Sequence, residues 1–368
     1  MYKHRAAKLA LGMALAAASL TTLAAAKPAA GLNVFNWGDF IARDTVANFE
    51  KLFGTHAEYD TYDSDDVLQA KLLVGHTGYD IVVPSSGSLA KQIEIGLYQK
   101  LDKRKIPNLA NLDPTLMKML SAADPGGQYG VPWAYAATGI GYNVAAAKKA
   151  FGDKVPDGWS LVFDPAQLGK LKGCGVSFLD SPGSMFPAVL QYLHKDPNST
   201  NPADYQAALA VLQKVRPYVR QFNSSSYIND LANNDVCVAV GWSGDVGIAG
   251  RRAREAGRPY DIRYLNPKEG GFMWFDVMVI PRDAPHADMA HKWINYILDP
   301  KVSASITSEV YYPTANRLAR QHLPVSIIND PTVFPPQAEL LKMAVMKQVP
   351  PEIQRLQSRL WQKLKSGN

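Results

Sequence analysis

GVPWAYAATGIGYN, the sequence of residues 130–143, is rich in glycine, aromatic and small residues. This composition is typical of a segment through which a chain passes from one domain to another. A second such segment, GGFMWFDVMVIP at Gly270–Pro281, predicts the return crossing. Two crossings between two α/β units predict an α/β protein of two lobes with a hinged cleft between them.

The sequence around these crossings alternates between strand and helix patterns. The N-terminal part predicts a βαβαβ unit, with strands at Leu32–Asn36, Ala57–Tyr62 and Tyr79–Val83 and helices at Asp44–Phe53 and from Ser64 or Asp65 onward. Such a unit forms a parallel sheet, and ligands collect at the carboxyl ends of its strands. Two further strands, Cys174–Asp180 and Val236–Gly241, indicate a second α/β unit.

Residues 1–26 have the pattern of a secretory signal peptide. Lys3, Arg5 and Lys8 precede an apolar run at Leu9–Leu23, and a small-residue cleavage site ends at Ala26. We therefore expect cleavage after Ala26 and export, which means the periplasm in a bacterium with two membranes. The apolar run is short for a spanning helix and no second such run follows it, so the mature chain is not expected to be membrane-embedded.

The composition indicates a globular protein with two domains. The chain has 368 residues and a hydrophobic content of 47%, and a chain of this length exceeds what one hydrophobic core usually fills. The formal net charge is +6, and Lys3, Arg5 and Lys8 of the predicted signal peptide contribute half of it. Because no dense block of Lys and Arg is present, a nucleic acid partner is not expected.

The sequence contains no motif for a metal, a cofactor or a catalytic nucleophile. Its seven histidines form neither an HExxH motif nor a Cys/His ligand spacing. Gly139-Ile140-Gly141 lacks the third glycine of a dinucleotide fingerprint, no P-loop is present, and GWSG at 241–244 has the wrong spacing for a nucleophile elbow. We expect no metal, no cofactor and no enzyme activity.

The chain has two cysteines, Cys174 and Cys237. In an oxidising compartment such an even pair predicts one disulfide. The alternative is that one of them is the nucleophile of an enzyme that acts on a cationic substrate, which requires a free thiol.

Three tryptophan–aspartate pairs stand at the ends of apolar runs: Trp37 with Asp39, Trp242 with Asp245, and Trp274 with Asp276. Flat π faces beside carboxylates suit an organic cation, which is held by cation–π contact and charge-assisted hydrogen bonds. The alternative is that the tryptophans are core residues and the acids are helix caps. Three such pairs in one chain favour a cation site.

A run of small polar residues, PSSGS at 84–88, follows the third predicted strand. It places hydroxyls and backbone N–H groups at the ligand-binding edge of the predicted sheet. Ser85, Ser86 and Ser88 suit a ligand contact and a helix cap equally well, so both interpretations stay open.

Over nearly its whole length, the mature chain resembles the periplasmic putrescine/spermidine-binding proteins of ABC polyamine importers. The matching stretches are Asn36-Trp37-x-Asp39, ARDTVANFE at 42–50, Val83-Pro84-Ser85, ATGIGYN at 137–143, Cys174–Asp180, YINDLAN at 227–233, Val236–Asp245, Pro267–Gly270, Phe275–Val277 and Lys365–Gly367. The resemblance implies a type II periplasmic binding protein fold, a polyamine or related cation in the interdomain cleft, a membrane permease as partner, and a monomer.

The resemblance also implies a set of ligand-binding residues. The family's aromatic box falls on Trp37, Trp242, Trp274 and Tyr312, its carboxylates fall on Asp39, Asp245 and Asp276, and its serine contact falls on Ser85. Its cysteine pair matches as well, which supports the disulfide.

Some positions depart from the family's pattern. Gly38 replaces a hydroxyl residue, and Phe40 replaces a tyrosine. Trp274 stands where some members have phenylalanine, and in this it resembles the spermidine-preferring members.

The most serious departure is Ser184, which stands where the family has an acidic residue. The loss of a distal carboxylate would leave an ammonium group undercompensated, which is costly. We therefore expect a ligand that is shorter, carries charge at one end, or is bound with more water. Asp180 is the neighbouring acid that could compensate, although its position at a strand end favours a structural role.

The predicted domains are 27–135 plus 272–322 for the first lobe and 138–270 plus 325–368 for the second. The favoured function is a solute receptor that captures a polyamine and delivers it to an ABC permease. A receptor for a different organic amine, the cysteine-dependent enzyme, and a sensory protein that binds amines without transport are the alternatives.

Overall fold

The structure is a computed structural model, and it describes residues 31–367. The predicted signal peptide, residues 1–26, lies outside these residues. The strands are β1 Leu32–Trp37, β2 Ala57–Tyr62, β3 Ile81–Val82, β4 Gly130–Asn143, β5 Val176–Phe178, β6 Gln221–Phe222, β7 Val238–Trp242, β8 Ile262–Leu265, β9 Phe272–Val279 and β10 Ala344–Val345.

Helices cover both faces of the sheet that these strands form. They are α1 Thr45–Phe53, α2 Asp65–Val74, α3 Ser86–Glu94, α4 Pro114–Leu120, α5 Val144–Phe151, α6 Ser160–Phe163, α7 Pro165–Leu168, α8 Pro182–Tyr192, α9 Pro202–Val215, α10 Tyr227–Asn233, α11 Ser243–Glu255, α12 Ala287–Ile297, α13 Pro300–Val310, α14 Val325–Ile328, α15 Gln337–Leu340 and α16 Pro351–Ser366.

The N-terminal βαβαβ unit is confirmed. Strand β1 pairs in parallel with β2, with Leu32 opposite Ala57, and in parallel with β3 on its other side. Helix α1 ends at Gly54, whose φ of 61° is the left-handed conformation that glycine adopts without steric cost. Asp44 stands at the predicted cap position, but its side chain makes no capping hydrogen bond to the helix backbone.

Strand β4 crosses from one half of the sheet to the other, as its composition predicts. The sheet has the order β2-β1-β3-β9-β4-β7-β5-β6, with β10 beside β9 and β8 beside β4. The first part of β4 pairs with β9, and its second part pairs with β7 and β8. Thr138 stands at the junction, opposite Phe272 of β9 on one side and Trp242 of β7 on the other.

The buried residues form two main hydrophobic cores, one in each lobe. The first core contains residues of β1, β2, β3, the first part of β4, β9 and α12. The second contains residues of β5, β7, α8, α9, α10, α11 and α16. Leu340 and Met343 pack in the first core, whereas α16 packs in the second. The two sets of domain boundaries given above stay a prediction.

Within residues 31–367, no helix combines the length and the apolarity that crossing a membrane requires.

The predicted disulfide is confirmed and lies within the second lobe. Cys174 and Cys237 are bonded, with their Cα atoms 5.5 Å apart. The bond ties the loop before β5 to the start of β7, and Cys237 is buried in the second core. The alternative of a free nucleophilic thiol is therefore wrong.

We expect loss of this disulfide to destabilise the protein. The bond closes a loop of 63 residues, for which the chain-entropy model gives about 4 kcal/mol of the free energy of unfolding. The double variant Cys174→Ser/Cys237→Ser should therefore unfold at a lower denaturant concentration than the oxidised protein. Wild-type protein reduced with dithiothreitol is the matched control and should unfold with the variant. Coincident curves for the oxidised and reduced wild type would contradict the expectation.

Candidate functional site

Strand β4 forms the floor of the candidate site, between tryptophans from the two lobes. Trp274 of β9 lies opposite Ala136, and Trp242 of β7 lies opposite Thr138. Because alternate residues of a strand point to the same face, this register brings both indoles to one face of the sheet. Their ring centroids are 6.1 Å apart with an interplanar angle of 71°, an edge-to-face contact across the lobe boundary.

Asp276 lies on the same face, two residues beyond Trp274 and opposite Ala134 of β4. It is only 4% exposed, and its Oδ1 atom has no hydrogen-bond partner. Burial raises the pKa of its carboxyl well above the usual range, and the charge of Asp65 raises it further. A buried carboxyl oxygen without a hydrogen-bond partner is an unusual cost, and a cationic ligand would relieve it.

Ser85 connects Asp276 to a second acid that the sequence analysis missed. Ser85 forms an isolated antiparallel bridge with Asp276. Its Oγ donates to Asp65 Oδ2 at 2.5 Å, and its backbone N–H donates to Asp65 Oδ1 at 3.2 Å. Ser85 stands at the cap position of α3 without capping that helix. The sequence analysis interprets Asp65 only as a helix cap. Its position just after the second strand, at the ligand-binding edge of the sheet, is the signal that indicates a site residue.

Trp37 lies at the carboxyl end of β1, beside this acidic pair. Its Nε1 donates to the carbonyl of Val83 at 3.0 Å, and its ring packs on Tyr62 with centroids 4.6 Å apart. These two contacts fix the orientation of the indole. The ends of β1 and β3 therefore bring Trp37 and Ser85 together, as the parallel sheet predicts.

Asp245, in the first turn of α11, is the buried carboxylate of the second lobe and is 8% exposed. Tyr312 donates to its Oδ1 at 2.6 Å, and Tyr227 donates to its Oδ2 at 2.9 Å. Burial raises the pKa of the Asp245 carboxyl to about 6, although both tyrosine hydroxyls act in the opposite direction.

The two tyrosines come from different lobes. Tyr312 packs in the first core and Tyr227 in the second, so the carboxylate of Asp245 is shared across the lobe boundary. Gly244 permits this approach, because a Cβ atom there would lie 2.2 Å from the ring of Tyr312. The sequence analysis missed Tyr227, which lies in the YINDLAN stretch of the resemblance.

Asp39 is the exposed member of the predicted carboxylates, and it lies near enough to Asp245 for its charge to raise the pKa of that carboxyl. Its side chain is 78% exposed and its Oδ2 is 4.0 Å from a guanidinium nitrogen of Arg252 in α11. Its φ of 53° lies in the left-handed region, which aspartate tolerates better than most residues. Arg251, the residue before Arg252, has a guanidinium nitrogen 3.7 Å from a carboxylate oxygen of Glu309 in α13. Two neighbouring arginines of the second lobe thus face acids of the first.

Ser184 lies beside Trp242, in the first turn of α8. Trp242 Nε1 donates to Ser184 Oγ at 3.3 Å. Asp180, the acid that could replace the lost carboxylate, accepts from Trp361 Nε1 at 2.7 Å and from Lys365 Nζ at 2.6 Å. Both partners belong to α16, so Asp180 anchors the C-terminal helix.

Within residues 31–367, no group of three or more His, Cys, Asp and Glu side chains is arranged to hold a metal ion. The site consists instead of indole and phenol rings around buried carboxyl groups. This arrangement can hold an organic cation.

The sequence matches a known family over most of its length. The profile of the family described as bacterial extracellular solute-binding protein matches residues 44–335. The chain is 46% identical over 356 residues to the putrescine-binding periplasmic protein PotF of Escherichia coli, with 96% of each chain covered. It is also 46% identical over 352 residues to the putrescine-binding periplasmic protein SpuD of Pseudomonas aeruginosa, with 95% of this chain and 96% of the relative covered.

The fold matches solved structures of the same kind. A putative spermidine/putrescine ABC transporter from Listeria monocytogenes superposes with a TM-score of 0.81 at 33% identity, covering 92% of this chain and 99% of the other. The two-lobed α/β architecture is that of a type II periplasmic binding protein, as the sequence analysis predicts. The chain belongs to the family of bacterial extracellular solute-binding proteins.

Proposed function

We propose that this protein is a periplasmic receptor that captures a polyamine cation between its lobes and delivers it to the membrane permease of an ABC importer. The observation that carries the proposal is the pair of buried carboxyl groups, Asp245 and Asp276, beside two facing indoles. The relatives named for putrescine support it, since they cover nearly the whole chain at 46% identity.

The proposed ligand contacts combine two kinds of surface. Aromatic rings would pack against the methylene chain and face the ammonium groups, and carboxylates would fix those groups. The proposed aromatic residues are Trp37, Trp242, Trp274 and Tyr312, and the proposed polar residues are Asp39, Ser85, Asp245 and Asp276. Because Asp39 lies 4.0 Å from Arg252, an ammonium group there would compete with that arginine for the carboxylate.

The interaction free energies of these groups are large enough for micromolar ligand binding. Micromolar affinity corresponds to about 8 kcal/mol. Charge-assisted hydrogen bonds contribute roughly 1.5–3 kcal/mol each, and cation–π contacts contribute about 1–2 kcal/mol. Two carboxylates and two indoles can therefore supply micromolar binding before ordering costs.

Delivery to a permease implies export and a soluble receptor. We propose cleavage after Ala26, a periplasmic location and a monomer. A sensory protein would share the same binding site, so uptake of labelled putrescine in a deletion strain separates the two roles. Loss of uptake supports transport, and unchanged uptake with altered signalling supports a sensor.

The first test of the proposal is calorimetric titration with putrescine, cadaverine, spermidine, spermine and agmatine. The protein is first unfolded and refolded so that it carries no ligand. We expect micromolar or tighter binding of at least one amine. Absence of binding to all five would refute the proposed function.

We expect Asp245→Ala and Asp276→Ala to weaken binding of the preferred amine by at least tenfold, because each removes a buried counter-charge. Calorimetric titration measures the effect, and melting temperatures establish that each variant is folded. Asp288→Ala is the control, since that carboxylate is exposed on α12 and pairs with Lys105. Wild-type affinity in both site variants would refute the assigned site.

We also expect binding to release protons. The pKa of Asp245 is raised to about 6 without ligand, and a nearby ammonium would lower it again. Amine affinity should therefore rise with pH, by about tenfold between pH 5 and pH 7 for one such group. Titrations at pH 6 in buffers of different ionisation enthalpy measure the released protons directly.

The control for this linkage is Asp245→Asn, which cannot titrate at that position. Its proton release should be smaller than that of the wild type at pH 6. Equal release in both proteins would show that another group is responsible.

A further inference from the structure

A crevice lies behind β4, on the face of the sheet opposite to the candidate site. Residues Ala137 of β4 and Met273 of β9, which are partners in the sheet, form part of its floor. They alternate along their strands with Ala136 and Trp274, and successive residues of a strand point to opposite faces. This rear crevice is lined by Ala137, Tyr264, Asn266, Met273, Thr332 and Met343, among others.

The two walls of the rear crevice belong to different lobes. In the first wall, Met343 packs in the first core, and Val333 packs with residues of α13, a helix that also contributes to the first core. In the second wall, Tyr264 of β8 packs against the second core, and Asn266 follows the end of that strand. A motion of one lobe relative to the other must therefore change the width of the rear crevice.

Tyr264 holds the second wall against β4. Its phenol ring lies over Gly139, where a Cβ atom would overlap the ring, and its hydroxyl donates to the carbonyl of Ala137 at 3.2 Å. Asn266 donates from Nδ2 to Glu339 of α15 at 3.3 Å, so a polar contact joins the two lobes on this side as well. The absence of a side chain at Gly139 allows the second wall to lie this close to the shared strand.

On the ligand side of β4 the two lobes are in contact. Asp245 of the second lobe accepts from Tyr312 of the first at 2.6 Å, and the rings of Trp242 and Trp274 are 6.1 Å apart. A hinge rotation about β4 that separates these groups brings the walls of the rear crevice together, because those walls lie on the other side of the strand. Packed side chains compress little, so material in the rear crevice opposes this opening.

We infer that the rear crevice controls lobe opening, so that bulk added there favours the closed cleft and strengthens ligand binding without contacting the ligand. A ligand that prefers the closed state binds more tightly when a larger fraction of the free protein is already closed. The expected change in amine affinity rests on the proposed polyamine function. The expected change in lobe opening does not.

The test adds an aromatic ring from the first wall. Thr332 is half-buried and its neighbour Pro331 is exposed, so the rear crevice reaches the surface there and can admit a larger side chain. By small-angle X-ray scattering, ligand-free Thr332→Phe should have a smaller radius of gyration than the ligand-free wild type. Its affinity for the preferred amine, measured by calorimetric titration, should rise by about threefold or more. Thr332→Val, which keeps the shape of threonine, is the matched control and should behave as the wild type.

A second variant adds the ring from the opposite wall, so the test does not depend on the folding of one protein. Asn266→Phe should change the radius of gyration and the amine affinity in the same direction as Thr332→Phe. Asn266→Ala is its control, because it loses the hydrogen bond to Glu339 without adding bulk. Melting temperatures establish which variants are folded.

The outcomes separate this inference from the proposed function. Wild-type radius and wild-type or weaker affinity in the folded phenylalanine variants overturn the role of the rear crevice, and so do equal gains in the valine and alanine controls. A ligand-free wild type as compact as the amine-bound protein also overturns it, because the closed state would then need no support. Failure of the wild type to bind any amine refutes the proposed function, while scattering from the ligand-free proteins still decides whether the rear crevice controls opening.

Discussion

The two lobes share one continuous strand, and the positions of Trp242, Trp274 and Asp276 in the site depend on it. Strand β4 pairs with β9 along its first part and with β7 and β8 along its second part. A shift of one residue in either pairing would turn Trp274 or Trp242 to the opposite face of the sheet. The cleft is therefore fixed by backbone hydrogen bonds, and small residues of β4 leave room above them for aromatic side chains.

Without a ligand, the burial of Asp245 and Asp276 costs folding free energy when these groups are charged. Asp245 has a folded-state pKa above its unfolded value, so its contribution to stability is present at low pH and is lost as the pH rises through about 6. Asp276 shifts in the same direction, because burial again disfavours its charged form. Affinity and stability thus depend on pH with opposite signs. A cation that enters between these carboxyl groups supplies the charge that the protein lacks.

Much of the fold was predictable because its signals are local. Hydrophobic periodicity placed β1, α1 and β2, and composition located the crossing at β4. The residue types of Asp245 and Asp276 marked them in the sequence, and both are buried in the structure, but their role in binding stays a prediction. The roles of Asp65 and Tyr227 depend on contacts with residues 20 and 18 positions away, which no local pattern encodes. The contact of Asp39 with Arg252 likewise depends on the position of α11, which belongs to the other lobe.

The place of β9 in the sheet also governs the order in which the chain can fold. Strand β9 lies between β3 and β4, so the first lobe cannot complete its sheet until residue 279 has emerged from the ribosome. The strands β5, β6 and β7 of the second lobe are complete by residue 242. Domains usually mature from the N-terminus during synthesis, but here the N-terminal strands must wait for a partner from the last third of the chain. In a nascent chain of this design the N-terminal sheet therefore stays incomplete until most of the chain has been made.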